Sequence, residues 1–183
     1  AAAIRPFPAA MTVGQTFHVR MKNGWIWENG GSVGVALRDT GGAEKWLLYF
    51  NGGATNYAGT HATDIGWTDG GLDIAFTLTG ATNYSVAITP AAGGSTRTYN
   101  GSFSGQINQF RAWSANNGTG DEFNPNRDFF INNLKITSAG SGGASTSDTV
   151  VIVRQQESSP DTNGNGIPDD LEMLWFGQLV PGT

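Results

Sequence analysis

The chain has 183 residues and a net charge of −5, with no cysteine and only ten Lys and Arg in total. That excludes disulfides, thiol chemistry and cysteine-based metal sites, and it leaves no basic patch for nucleic acid or an anionic membrane surface. Charged residues make up only 14% while glycine reaches 27, the profile of many short strands joined by turns.

The chain starts at Ala1 without Met, and Ala1 to Ala10 shows no signal-peptide pattern, as expected of a mature or excised form. From there to about Thr137, apolar and polar residues alternate repeatedly. Phe17, Val19 and Met21 alternate with His18, Arg20 and Lys22. The same period of two links Val33, Val35 and Leu37, then Leu72, Ile74, Phe76 and Leu78, then Tyr84, Val86 and Ile88. Such a period puts one set of side chains in a core and the other outside. Trp46 to Phe50 is apolar on both faces and predicts a central strand, with Trp46 and Trp67 in the core. Phe129 to Ile136 predicts a closing strand with Phe130, Leu134 and Ile136 on one side. Turn signals such as Asn29-Gly30-Gly31, Asn51-Gly52-Gly53 and Asp69-Gly70-Gly71 separate these runs. The expected fold is all-β: an antiparallel two-sheet sandwich over residues 1–137, with a closed barrel as the alternative.

The runs Gly31-Ser32-Val33-Gly34-Val35-Ala36-Leu37-Arg38, Gly70-Gly71-Leu72-Asp73-Ile74-Ala75-Phe76-Thr77-Leu78 and Asp128-Phe129-Phe130-Ile131-Asn132-Asn133-Leu134 resemble concanavalin-like or laminin-G-like jelly rolls. The resemblance implies a jelly-roll sandwich that binds sugar. It also implies a secreted bacterial setting beside polysaccharide-degrading enzymes, and hence a longer chain carrying a catalytic domain. The partner expected is a polysaccharide, with neither nucleic acid nor membrane, and the expected state is a monomer.

Sugars offer flat C–H faces to aromatic rings and hydroxyls to amides, carboxylates and guanidinium groups. Six Trp and four Tyr are many for so few charges. Trp25 and Trp27 share a face if Gly24 to Glu28 is extended, and Tyr57 adds a loop ring. Gln109, Arg111 and Trp113 line up opposite Phe110 and Ala112, which sets an amide, a guanidinium and an indole in a row. A plainer role for Arg111 is an ion pair with Asp121 or Asp128. Catalysis is harder to support. Sugar hydrolysis uses two facing carboxylates, and the Glu-x-Asp-x-x-Glu strand pattern of jelly-roll glucanases is absent. The sandwich holds only Glu28, Glu44 and Glu122 as glutamates. A lyase would need a base such as His61 brought to a neutralising group such as Arg111. The expected function is therefore non-catalytic binding. Its rivals are a structural or adhesive surface domain and a hydrolase or lyase.

Residues 138–148 are rich in Ser, Gly and Ala and read as a flexible linker to a tail of residues 149–183. Val150 to Val153 is a short apolar strand that either docks on the sandwich edge or opens the tail. Asp161 to Glu172 then fits a twelve-residue calcium loop. Asp161, Asn163, Asn165, Asp169 and Glu172 supply side-chain oxygens at positions 1, 3, 5, 9 and 12, Gly166 makes the sharp turn at position 6, and Ile167 gives its backbone carbonyl. Pro168 and the acids after it suit a helix start, so a short helix is expected from Asp169 to about Phe176. The loop resembles the calcium repeats of dockerins and of bacterial thrombospondin type 3 repeats. Ca²⁺ as cofactor points to an extracellular or cell-surface location. A second calcium at Asp121, Asn124 or Asp128 has no regular spacing behind it.

Overall fold

The computed structural model describes residues 1–116 and 128–138, together with the backbone of a strand at Val151–Val153. The strands are β1 (Ala2–Pro6), β2 (Gln15–Asn23), β3 (Ser32–Arg38), β4 (Glu44–Asn51), β5 (Ala58–Gly59), β6 (Leu72–Leu78), β7 (Asn83–Pro90), β8 (Arg97–Ser102), β9 (Gln109–Ala115), β10 (Phe129–Ser138) and β11 (Val151–Val153). They form two antiparallel sheets. The five-stranded sheet runs β1-β9-β3-β4-β5 and the six-stranded sheet runs β11-β10-β2-β6-β7-β8. No helix occurs among the described residues.

The core lies between the sheets, and the period of two builds it. Phe17, Val19 and Met21 of β2 face Val33, Val35 and Leu37 of β3, with Leu72, Ile74 and Phe76 of β6 and Tyr84, Val86 and Ile88 of β7 beside them. All are buried. Apolar area removed from water at roughly 25 cal/mol per Å² is the main force holding two such sheets face to face.

Four expectations need correcting. β4 is not central: only the two-residue β5 lies outside it. Its inward residues Trp46, Leu48 and Phe50 are buried, while Leu47 and Tyr49 are half-buried on the outer face. The strand is apolar on both sides because that outer face is itself partly covered. In β10, Phe129 and Ile131 point inward and Phe130 points out. The register with β2 shifts between Asn132 and Lys135, and Asn133 takes a left-handed φ of 58°. This bulge resets the alternation, so Leu134 and Ile136 return to the core while Phe130 does not share their side. Trp67 is 48% exposed rather than core. Tyr57 is the reverse, fully buried rather than an available ring.

The strand at Val151–Val153 docks on the sandwich edge, pairing with Phe129, Phe130 and Ile131 of β10. The calcium loop Asp161 to Glu172, including Asn163, Asn165, Ile167 and Asp169, and the helix expected after it lie outside the described residues.

Candidate functional site

The outer face of the five-stranded sheet carries a row of ligand-type side chains. In β9, Phe110, Ala112 and Ser114 are buried inward, which turns Gln109, Arg111 and Trp113 outward. The register then sets Trp113 beside Gly34 and Tyr49, and Arg111 beside Ala36 and Leu47. On the other flank, β1 places the exposed Ile4 beside Arg111.

Gly34 and Ala36 are too small to hold the neighbouring strands' side chains apart, so those side chains lean over β3. Cζ2 and Cη2 of Trp113 sit 2.5 and 2.6 Å from where a Cβ at position 34 would be, so only glycine leaves room for the ring. Nε1 of Trp113 donates to Oγ of Ser32 at 3.2 Å, and the Tyr49 ring lies 6.5 Å away. The Arg111 guanidinium stands over the indole, 4.7 Å from its centre, while its Nη1 donates to Oε1 of Glu44 at 2.7 Å. The cation is thus held between a π-face and a carboxylate. The Gln109 amide donates to the Asp39 carbonyl. The structure therefore brings together Gln109, Arg111 and Trp113, and it adds Tyr49, Glu44 and Ser32, which the sequence reading missed. The alternation Leu47-x-Tyr49 inside the apolar run of β4 was the available signal. The partner of Arg111 is Glu44, not Asp128.

None of the contacts that build this cluster involves Trp25, Trp27 or Tyr57. Residues 24–27 are not a strand, although buried Ile26 separates an exposed Trp25 from a half-buried Trp27. The Trp27 carbonyl accepts from the Gly31 amide and closes the turn into β3. Tyr57 packs edge-on against Phe50 at 5.0 Å and donates to Oδ1 of the buried Asn23 at 2.6 Å. Its loop folds inward because that hydroxyl and that amide satisfy one another.

A second polar cluster ties the loop after β5 to the six-stranded sheet. His61 stacks on Tyr99 at 5.3 Å, and its Nε2 lies 2.9 Å from the hydroxyl of Tyr84. Tyr99 and Arg97 both donate to Asp64. These groups engage one another, and His61 and Arg111 have separate partners. The Asp64 carboxyl is held below its ordinary value, chiefly by the hydrogen bond from Arg97. The Asp39 carboxyl is likewise lowered, chiefly by Lys45. Both shifts run opposite to what a general acid needs. Asp39, Glu44, Asp64, Asp69 and Asp73 each sit in an ion pair. A shallow open pocket of about 390 Å³ between Val13 and Ser138 is lined by Thr, Val, Leu, Gly and Ser and has no ionisable side chain. Among the described residues no group of three or more His, Asp or Glu is placed to hold a metal. Asp128 is described, and its carbonyl accepts from the Gly24 amide; Asp121 and Asn124 lie outside the described residues.

No protein-family model matches the chain, and no curated protein matches it. Among solved structures it is similar to the CBM2 module of the evolved Dit of Lactobacillus casei BL23 phage J-1, with a TM-score of 0.41 and 16% identity. That match covers 62% of this chain and 59% of the other, so the chain spans less than two thirds of that structure. It is also similar to SCP-B, a member of the Eqolisin family of peptidases in a complex with the tripeptide Ala-Ile-His. There the TM-score is 0.47 with 11% identity, over 79% of this chain and 84% of that one. One neighbour is a module and the other a peptidase, and at such scores neither assigns an activity to this chain. The class defined by the residues themselves is an all-β antiparallel sandwich with a polar–aromatic outer face.

Proposed function

We propose that this protein is a non-catalytic polysaccharide-binding module of an extracellular protein, with a calcium-stabilised tail. The observation that carries the reading is the outer-face cluster in which Arg111 is clamped between the Trp113 ring and Glu44, with Tyr49 alongside. The rings offer apolar edges to the C–H groups of a sugar. Arg111 and Glu44 offer fixed donors and acceptors to its hydroxyls. Their mutual pairing spares the ligand from meeting an unpaired charge, and the packed guanidinium loses little freedom on binding. The jelly-roll resemblance supports the same reading. Paired carboxylates, and downward shifts where shifts occur, favour binding over acid–base chemistry. Attachment to a catalytic domain in a longer chain would raise the local substrate concentration.

Pull-down on insoluble glucan, xylan and chitin tests the function. Retention of the wild type on one of them is expected. Trp113→Ala is expected to weaken it about tenfold, equivalent to about 1.4 kcal/mol, at unchanged fold by circular dichroism. Failure of the wild type to bind any of the three favours the structural or adhesive reading. Release of reducing or unsaturated sugar by the pure protein would establish an enzyme.

Asp161, Asn163, Asn165, Asp169, Glu172 and the Ile167 carbonyl form an all-oxygen donor set, which suits a hard cation. Calcium bound there supplies order to a segment too small to fold by apolar burial alone. With three carboxylates in the set, affinity on the order of 10⁻⁴ to 10⁻³ M is expected. Asp161→Ala, or chelation of the wild type by EDTA, should speed proteolysis beyond residue 154 and leave the melting of the sandwich nearly unchanged. Limited proteolysis with mass mapping checks this; equal cleavage with and without calcium would remove the tail from the proposal.

A further inference from the structure

We propose a second carbohydrate-binding site at the rim of the sandwich, formed by Trp25 and Trp67 around the strand end at Asn23. It rests on the polysaccharide-binding reading but not on the sheet-face site. Among the described residues, Trp25 and Trp67 are the large aromatic side chains that stay exposed, at 43% and 48%. Both rings are referred to one residue. Nε1 of Trp67 donates to the Asn23 carbonyl at 2.9 Å, and Trp25 follows Asn23 by two positions, at most about 7 Å of chain.

Asn23 is itself immobile. It is fully buried, its Oδ1 accepts from the Tyr57 hydroxyl, and its Nδ2 donates to the Gly24 carbonyl. Trp67 is therefore pinned by its nitrogen while about half of the residue remains exposed. Such a ring can stack on a ligand without first losing freedom. Lys22, which precedes Asn23, pairs with Asp69, two residues after Trp67, at 3.3 Å, an ion pair open to solvent. Aromatic faces next to solvent-facing donors and acceptors match the alternating C–H and hydroxyl surface of a sugar. Two rings at separate points of one rim suit an extended chain of sugars better than a single one. A protein partner fits less well. A specific interface buries on the order of 1,000 Å² or more, and the residues next to Asn23 and Trp67 in the chain include the polar Lys22, Thr68 and Asp69.

The test is an NMR titration of ¹⁵N-labelled protein with soluble hexasaccharides of glucan, xylan and chitin type. It follows the indole N–H signals, assigned with Trp→Phe variants. The expected result is saturable movement of the Trp25 and Trp67 signals while buried Trp46 stays still. Trp67→Ala should weaken this binding about tenfold. Movement at the rim without movement of Trp113 keeps this site and removes the sheet-face one. Movement of Trp113 alone overturns the rim site and leaves the polysaccharide reading standing. Stillness of every indole with all three sugars overturns both. Because the titration reads the wild type, a poorly folding variant leaves these outcomes intact.

Discussion

Tyr57→Ala should destabilise the sandwich by about 3–5 kcal/mol, the range for removing a large buried ring. The side chain is fully buried, edge-packed on Phe50 and bonded through its hydroxyl to Asn23. Tyr57→Phe separates the two contributions. It keeps the ring and strands Oδ1 of Asn23 without that donor, which should cost about 1–3 kcal/mol. Burial also pushes the Tyr57 phenol above its ordinary value of 10.0. The folded state thus favours the neutral phenol. Its contribution is full below pH 10.0 and is lost as pH rises through the higher folded pKa. The alkaline limb of the stability profile should accordingly be shallower in Tyr57→Phe. Urea unfolding at pH 7 and in the alkaline range measures both effects. A variant with unchanged stability and lost sugar retention would return Tyr57 to the role the sequence first suggested.

Gly52→Ala is the second large effect, at about 3 kcal/mol or more. A Cβ at position 52 would lie 1.8 Å from the Trp27 carbonyl oxygen and 2.2 Å from its carbon. The obstruction is main chain, so no rotamer change relieves it. The Gly52 amide is meanwhile committed to the Gly31 carbonyl at 2.9 Å, which prevents an easy retreat. Relief requires moving the 24–31 segment, and Trp25 with it. Gly66→Ala is the control. Its Cβ would meet only ordinary contacts at 3.7 and 3.8 Å, so the change should fall within about 0.5 kcal/mol. Thermal melting of the two variants decides the matter. Equal melting temperatures would mean that the 24–31 segment yields freely.

The sequence reading worked where one strand determines the outcome. Alternation in β2, β3, β6 and β7 identified the inward residues because a strand gives side chains only two directions. It failed where a third element decides. Tyr57 and Trp67 belong to the long stretch between β4 and β6, which has no period, and burial there follows from what the loop folds over. A clue existed in β2, where Asn23 continues the inward series Phe17, Val19, Met21. A polar residue at an inward position implies a buried partner, and that partner is Tyr57. The inversion at Phe130 was hidden because Asn133 adopts a left-handed conformation that sequence permits without requiring. The row Gln109, Arg111, Trp113 was legible from β9 alone. The pairing of Arg111 with Glu44 depends on the register across β3, and register is a property of the assembled sheet. The calcium loop proposed at Asp161 to Glu172 rests on a purely local spacing and lies outside the described residues.

The short pairing of β11 with β10 bears on any shortened form of the protein. Ended at Ser138, the chain would leave the main-chain amides and carbonyls along Phe129, Phe130 and Ile131 without the cover that Val151–Val153 gives them. An uncapped sheet border recruits a like border from another molecule. What such a truncation puts at risk is solubility at high concentration, well before it threatens the packing between the sheets.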